Sequence, residues 1–333
     1  MDKIEDEAIW LTIGDAAQRT GVNPVTLRAW QRRFGLVVPK RTPKGHRLYG
    51  ESHLAQIEEI LFWLNQGVAI SKVKPLLKAS QTKAAVKPLA KQALSVEEQN
   101  LWLDHIEYLN QSCLDFNATA LNGKLTELSG LYPFSVLKNG LYWPWLNGLE
   151  GLLLGRPDAS SIETWVVEEL SARVAKRRLA QLQGDAQKPS LLVDFLGGKP
   201  SNALLVSAEL SAYHVNHNLI KITNVSELSF IVQRLNCSQV FLVAQPQLTA
   251  TQTQALQEFI ASANAGIFLV GNYAKVVNQA LGMAQYDIPK LLMQCGIGAP
   301  AKNIISNENN AIKNTSQEIV SEEAEEGKQD AKY

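Results

Sequence analysis

Apolar positions recur at helical spacing through the first third of the chain. Thr12 can cap a short helix in which Ile13, Ala16 and Ala17 share one face and which Thr20-Gly21 ends. Asn23 can cap a second, with Pro24 at its first position and the run Val25 to Phe34 behind it, before Gly35 stops it. Val37 to Arg41 and His46 to Tyr49 read as two short strands around a Thr42-Pro43-Lys44-Gly45 turn. From Ser52 to Asn65 the apolar residues Leu54, Ile57, Ile60, Leu61 and Leu64 lie on one helical face. Val73, Leu76 and Leu77 do so in a shorter helix after Gly67, which closes a first domain at residue 79.

Residues 80–95, rich in Lys, Ala and Gln with a proline at Pro88, read as a linker. Four helical segments follow within 96–186: Val96 to Ser112, Phe116 to Leu131, Pro133 to Leu154 with a kink expected at Pro144, and Ser160 to Gln183. Residues 187–298 then alternate short apolar strands with helices. The strands are Leu191 to Leu196, Leu219 to Thr223, Val240 to Ala244 and Ile267 to Val270. The helices are Asn202 to Tyr213, Val225 to Leu235, Ala250 to Ala263 and Ala274 to Leu281. That order predicts a doubly wound α/β sheet. Residues 299–333 are polar and acidic, the composition of a disordered tail.

Composition, at 46% hydrophobic and 19% charged, fits a well-cored multidomain chain. No apolar run approaches the roughly 18 residues that a membrane helix needs, and Met1 to Ala8 is acidic where a signal peptide starts positive, so a cytoplasmic location is expected. Cys113, Cys237 and Cys295 are too dispersed for a metal pair or a disulfide framework and are expected to be inert thiols. The formal net charge of zero conceals one strong bias. Between Arg19 and Gly50 there is no acidic residue, while Arg19, Arg28, Arg32, Arg33, Lys40, Arg41, Lys44 and Arg47 fall in that window with His46. A local positive field of this kind is a footprint for phosphates.

Two short helices joined by a tight Gly-containing turn are the helix-turn-helix signature, and the hairpin behind them reads as a wing. On the second helix Val25, Arg28 and Arg32 share a face that can enter a major groove, where Arg28 can pair with a guanine edge or clamp a phosphate. Leu27, Trp30 and Phe34 share the apolar face, which makes Trp30 a core residue rather than a DNA contact. Arg33 flanks it. Thr12 and Thr26 can offer hydroxyls to the DNA backbone, and Lys40, Arg41, Lys44, His46 and Arg47 extend the positive surface across the hairpin, with Tyr49 packing it onto the helices.

The motifs Ile13-Gly14-Asp15-Ala16-Ala17, Val25-Thr26-Leu27-Arg28-Ala29-Trp30-Gln31-Arg32-Arg33 and Arg41-Thr42-Pro43-Lys44-Gly45-His46-Arg47-Leu48-Tyr49 resemble the MerR family of transcription regulators. They are most similar to the branch of biofilm regulators and cobalamin photoreceptors. The resemblance implies a winged helix-turn-helix and a homodimer on an imperfect palindrome in promoter DNA. It also implies distortion of that DNA as an activator acting with RNA polymerase.

Residues 96–298 resemble, more distantly, the helical cap and Rossmann-like cobalamin-binding region of the same branch, in degenerate form. That branch uses a Trp and a Glu-His pair in the cap and an Asp-x-His-x-x-Gly loop after the first strand. Here Asp158 stands at the Trp, Glu168 at the Glu and Glu169 at the His, and the loop reads Phe195-Leu196-Gly197-Gly198-Lys199-Pro200 without a histidine. No cofactor is therefore expected. His214 and His217 fall outside that loop and read as solvent-facing, and Gly197-Gly198-Lys199 reads as a plain strand-to-helix turn. No nucleophile triad, carboxylate pair or metal cluster suggests an enzyme. Three readings stand: a dimeric activator whose α/β region serves oligomerisation or an unidentified ligand, a repressor released by a ligand or partner on that region, and a corrinoid-carrying module.

Overall fold

The computed structural model describes residues 10–82, 101–181, 190–195, 199–213, 215–243, 248–271 and 273, 274, 277, 281 and 288. The linker apart from residues 80–82, the acidic tail, His214, Gly197, Gly198, Cys295 and most of the helix expected from Ala274 lie outside these.

Local signals build the first elements. Strand β1 (Leu11–Thr12) leads directly into α1 (Ile13–Thr20). The Thr12 hydroxyl accepts from the Asp15 amide, and the Asp15 carboxylate accepts from the Thr12 amide, a reciprocal capping box. Gly21 ends α1 in the left-handed region at φ 70°. Asn23 accepts from Val25 N at 2.8 Å to start α2 (Pro24–Ala29). The helix does not continue as a regular α-helix to Phe34, because Trp30–Phe34 form a wider π turn that Gly35 closes at φ 61°.

Val37 is not in a strand as expected, but takes a left-handed conformation at φ 50° with its side chain buried. The hairpin is shorter than expected, β2 (Lys40–Arg41) and β3 (Arg47–Tyr49), and β1 joins it through Leu11↔Tyr49 and Thr12↔Leu48 to give an antiparallel sheet of order β1-β3-β2. Helices α3 (Glu51–Asn65) and α4 (Ile70–Thr82, past residue 79) complete the region.

Next come α5 (Leu101–Leu114), α6 (Ala118–Leu131), a helical stretch made of α7 (Phe134–Leu137), the π turn Lys138–Tyr142 and α8 (Trp143–Leu153), and finally α9 (Ala159–Gln181). The π turn ends just before Pro144, so the widened turn stands where a kink was expected. Strand β4 (Ser190–Phe195), α10 (Pro200–Ala212), β5 (His217–Ile222), α11 (Val225–Leu235), β6 (Gln239–Val243), α12 (Ala250–Ser262) and β7 (Gly266–Val270) form a parallel sheet of order β5-β4-β6-β7. Pairing runs in register from Ser190↔His217 and Leu191↔Val240. The inner strands β4 and β6 carry the apolar runs Leu191–Val193 and Val240–Val243, as a sheet covered on both faces requires, while the edge strand β5 carries Asn218 and Lys221.

Two cores hold these elements. One contains Leu191, Val193, Val240 and Leu242 of the sheet with Leu228 of α11 and Leu256 and Phe259 of α12. The other runs unbroken from Ala16, Leu27 and Trp30 through Ile57 and Ile60 into Leu121, Leu125 and Trp145 of the bundle and on to Leu204 and Leu205 of α10. The core of the amino-terminal region is thus continuous with that of the bundle. The Trp30 indole donates to the Leu131 carbonyl at 2.8 Å, and a Cβ at Gly21 would lie 3.3 Å from the Tyr213 ring. Trp30 is fully buried, in keeping with the apolar face it shares with Leu27.

Candidate nucleic-acid interface

The α2 face expected to meet DNA is open. Val25 is 58% exposed and Arg28 beside it is exposed; Arg32 and Arg33 are exposed too but lie on the π turn, so Arg32 does not continue the regular helical face expected with Val25 and Arg28. Across the hairpin Lys40, Arg41, Lys44 and His46 are exposed and Arg47 is half-buried. Arg41 and Arg47 stand directly opposite in the β2–β3 pair. Like charges so placed are destabilising, and no ion pair among the described residues takes up Arg28, Arg32, Arg33, Lys40, Arg41, Lys44 or Arg47. Arg19 differs: its guanidinium meets Glu51 at 2.9 Å, just beyond the acid-free window. The positive charge is thereby left for an external anion along one helix and its adjoining hairpin.

Two of the expected hydroxyl donors behave otherwise. Thr26 is fully buried, and its Oγ1 has no hydrogen-bond partner among the described residues, so it faces the core instead of a phosphate. Helix α6 packs against α2. Thr12 is exposed, but its hydroxyl donates to Asp15 Oδ2 at 2.7 Å and is engaged in the cap.

The structure adds groups that the sequence reading passed over. Arg47 Nε donates to Gln31 Oε1 at 3.0 Å, tying the hairpin to α2. His53 Nδ1 accepts from the Gly50 amide at 3.1 Å, which leaves Nε2 to donate to the Val38 carbonyl at 3.0 Å. Lys40 Nζ lies 4.4 Å from the Trp10 ring centroid, a cation–π contact. Tyr49 is buried with its hydroxyl unpartnered among the described residues. Burial pushes its ionisation up, against the opposing pull of Arg47 and Arg28 nearby. Lys72, Lys74 and Lys78 of α4 are exposed, and a Cβ on Gly35 would lie 2.7 Å from Lys74 Nζ, which puts this cation at the carboxyl end of the π turn. Glu51, Glu58 and Glu59 separate these lysines from the basic window in sequence and hid them there.

The α/β region corrects one further expectation. His217 opens β5, at the amino edge of the sheet, and is fully buried: its Nε2 lies 2.7 Å from Ser207 Oγ and its Nδ1 2.9 Å from the Val215 carbonyl. Burial holds its pKa down to about 4, helped by the Arg178 charge, whose guanidinium donates to the His217 carbonyl at 2.6 Å. Lys199 stands immediately before Pro200 at the start of α10 and meets Glu150 of α8 in an ion pair. A cobalamin would rest against the carboxyl ends of the strands and take an axial base there. Two described residues are not placed to hold one. His217 lies at the opposite edge with both ring nitrogens engaged, and Glu168 at the matched cap position is a solvent-exposed side chain of α9. Cys113 and Cys237 are buried free thiols, and burial pushes Cys113 up to about 12.

Residues 11–80 match the family described as MerR HTH family regulatory protein. Over 133 residues the chain is 38% identical to the HTH-type transcriptional regulator MlrA of Escherichia coli K12, covering 40% of this chain and 49% of that protein, and it matches MlrA of Salmonella typhimurium to the same degree. It is 40% identical over 65 residues to the HTH-type transcriptional repressor CarH of Myxococcus xanthus, covering 20% of this chain and 22% of CarH. The chain thus spans at most about half the length of these curated relatives. The exposed basic helix and hairpin built on a capped helix pair agree with that match of residues 11–80 to the MerR helix-turn-helix family.

Proposed function

We propose that the protein is a sequence-specific regulator of transcription that binds double-stranded promoter DNA as a homodimer. The α2 face of Val25 and Arg28 enters the major groove with Arg32 of the π turn beyond it, and the Lys40–Arg47 hairpin acts as a wing on the adjoining phosphates. The observation that carries this reading is the exposed basic surface spanning α2, the π turn and the hairpin, with no acidic residue from Arg19 to Gly50 and, among the described residues, no ion pair that neutralises this surface. The printed names of its relatives, transcriptional regulator and transcriptional repressor, support the same class.

Within that class we favour an activator that distorts an imperfect palindrome and acts with RNA polymerase. The bundle and α/β region then serve oligomerisation or a partner rather than a corrinoid. The test is selection of genomic fragments by the full chain, followed by a salt titration of the enriched fragments. Affinity should fall steeply, linearly in log–log form, as phosphate contacts release counterions. Binding without salt dependence, or no enrichment at all, would refute the reading.

A further inference from the structure

We propose that Gln31 is a positioning residue: its side-chain carbonyl holds the Arg47 guanidinium in register with the DNA-reading face of α2, so that helix and hairpin engage DNA as one unit. This rests on the DNA-binding reading above and deepens it.

The geometry begins with the backbone. Gln31 lies in the π turn Trp30–Phe34, and its main-chain carbonyl accepts from the Gly35 amide at 3.1 Å, while the preceding Trp30 is fully buried and anchored to Leu131. The base of the Gln31 side chain is therefore fixed. From it Oε1 accepts Arg47 Nε–H at 3.0 Å. A guanidinium has five N–H donors in a rigid plane, so engaging Nε sets the orientation of that plane and leaves the two terminal amino groups as donors for a phosphate or a base edge.

Charge makes such a tether necessary. Arg47 stands opposite Arg41 in the hairpin, and it shares the neighbourhood of the Tyr49 hydroxyl with Arg28 of α2. Repulsion from these two cations would drive an untethered Arg47 away from the face it adjoins. No carboxylate occurs in this window to hold it, and one would cancel the field that draws DNA. A neutral amide oxygen holds the guanidinium without neutralising it. The π turn has a role here too: the inserted residue shifts the phase of the helix, so the positions after Trp30 do not continue the register of Val25 and Arg28.

The experiment is a double-mutant cycle on affinity for an enriched genomic fragment, using the full chain. Gln31→Leu, which keeps the bulk and removes the acceptor, is compared in the native, Arg47→Ala and Arg47→Lys backgrounds, with circular dichroism confirming the fold of each. Gln31→Leu should weaken binding roughly tenfold in the native background, the order of a lost hydrogen bond to a charged group. It should change little in either substituted background, because Ala has no donor and Lys has no Nε–H fork to orient. Equal weakening in all three backgrounds would show that Gln31 touches DNA itself and overturn the proposal, as would no weakening in any. Failure of the unsubstituted chain to bind any fragment would instead overturn the DNA-binding reading on which it rests.

Discussion

Acidification provides a sharp test of the buried histidine in the α/β region. His217 is held at about 4 in the native state against an ordinary value of 6.5. The unfolded chain therefore takes up a proton first as pH falls. Stability from this residue is fully present above about 6.5, declines between 6.5 and 4, and is gone below. A gap of about two and a half pH units at 1.36 kcal/mol each amounts to about 3 kcal/mol. The cause is geometric. A second ring proton would abolish the acceptor for Ser207 Oγ or place a charge beside Arg178 in a site closed to water.

The assay is urea unfolding followed by circular dichroism at pH 7.5 and 4.5, for the native chain and for His217→Gln. Tryptophan fluorescence would not serve, because all seven tryptophans precede the α/β region, the last being Trp165. His217→Gln should be less stable at pH 7.5 yet lose about 2 to 3 kcal/mol less than the native chain on acidification, with carboxylate titrations cancelling between the two. Parallel losses would refute the assigned burial and hydrogen bonding of this histidine.

Other expectations follow from the shared core. Trp30→Phe keeps most of the apolar ring but removes the bond to the Leu131 carbonyl. It should cost about 1 to 3 kcal/mol in denaturant unfolding and weaken DNA binding in parallel, since the recognition helix loses its anchor on the bundle. Lys138→Met removes the ammonium that meets the buried Glu209 carboxylate at 2.8 Å and should cost up to about 3 to 5 kcal/mol by thermal or urea unfolding. Lys138→Met with Glu209→Leu should recover most of that loss.

The parts of the fold that depend on neighbours in sequence were legible in it. The caps at Thr12, Asn23 and Gly35 and the alternation of strands and helices after Leu191 each rest on a few adjacent residues and appear where expected. Features made by distant partners were not. The two-residue β1 has no periodicity to read, and exists because Tyr49 and Leu48 lie opposite it. Thr26 reads as a polar surface residue until α6 packs behind α2. His217 reads as solvent-facing because polarity was taken for exposure, when Ser207 and the Val215 carbonyl satisfy it in the interior. The exposure of Arg28, Arg32 and the hairpin cations agreed with the sequence because charge in an acid-free window has nowhere else to go. The Gln31–Arg47 bond, joining positions on different elements, required the structure.

The claim that α2 specifies sequence while the hairpin turn only positions the protein is tested most directly by comparing Arg28→Ala with Lys44→Ala on a randomised pool of DNA sites across a range of salt. Arg28→Ala should cost roughly 1 to 3 kcal/mol at the preferred site and flatten the preference there, whereas Lys44→Ala should weaken all sites alike and lower the salt slope by about one. Uniform weakening across all sequences by both substitutions would contradict the account, because Arg28 would then touch only phosphate.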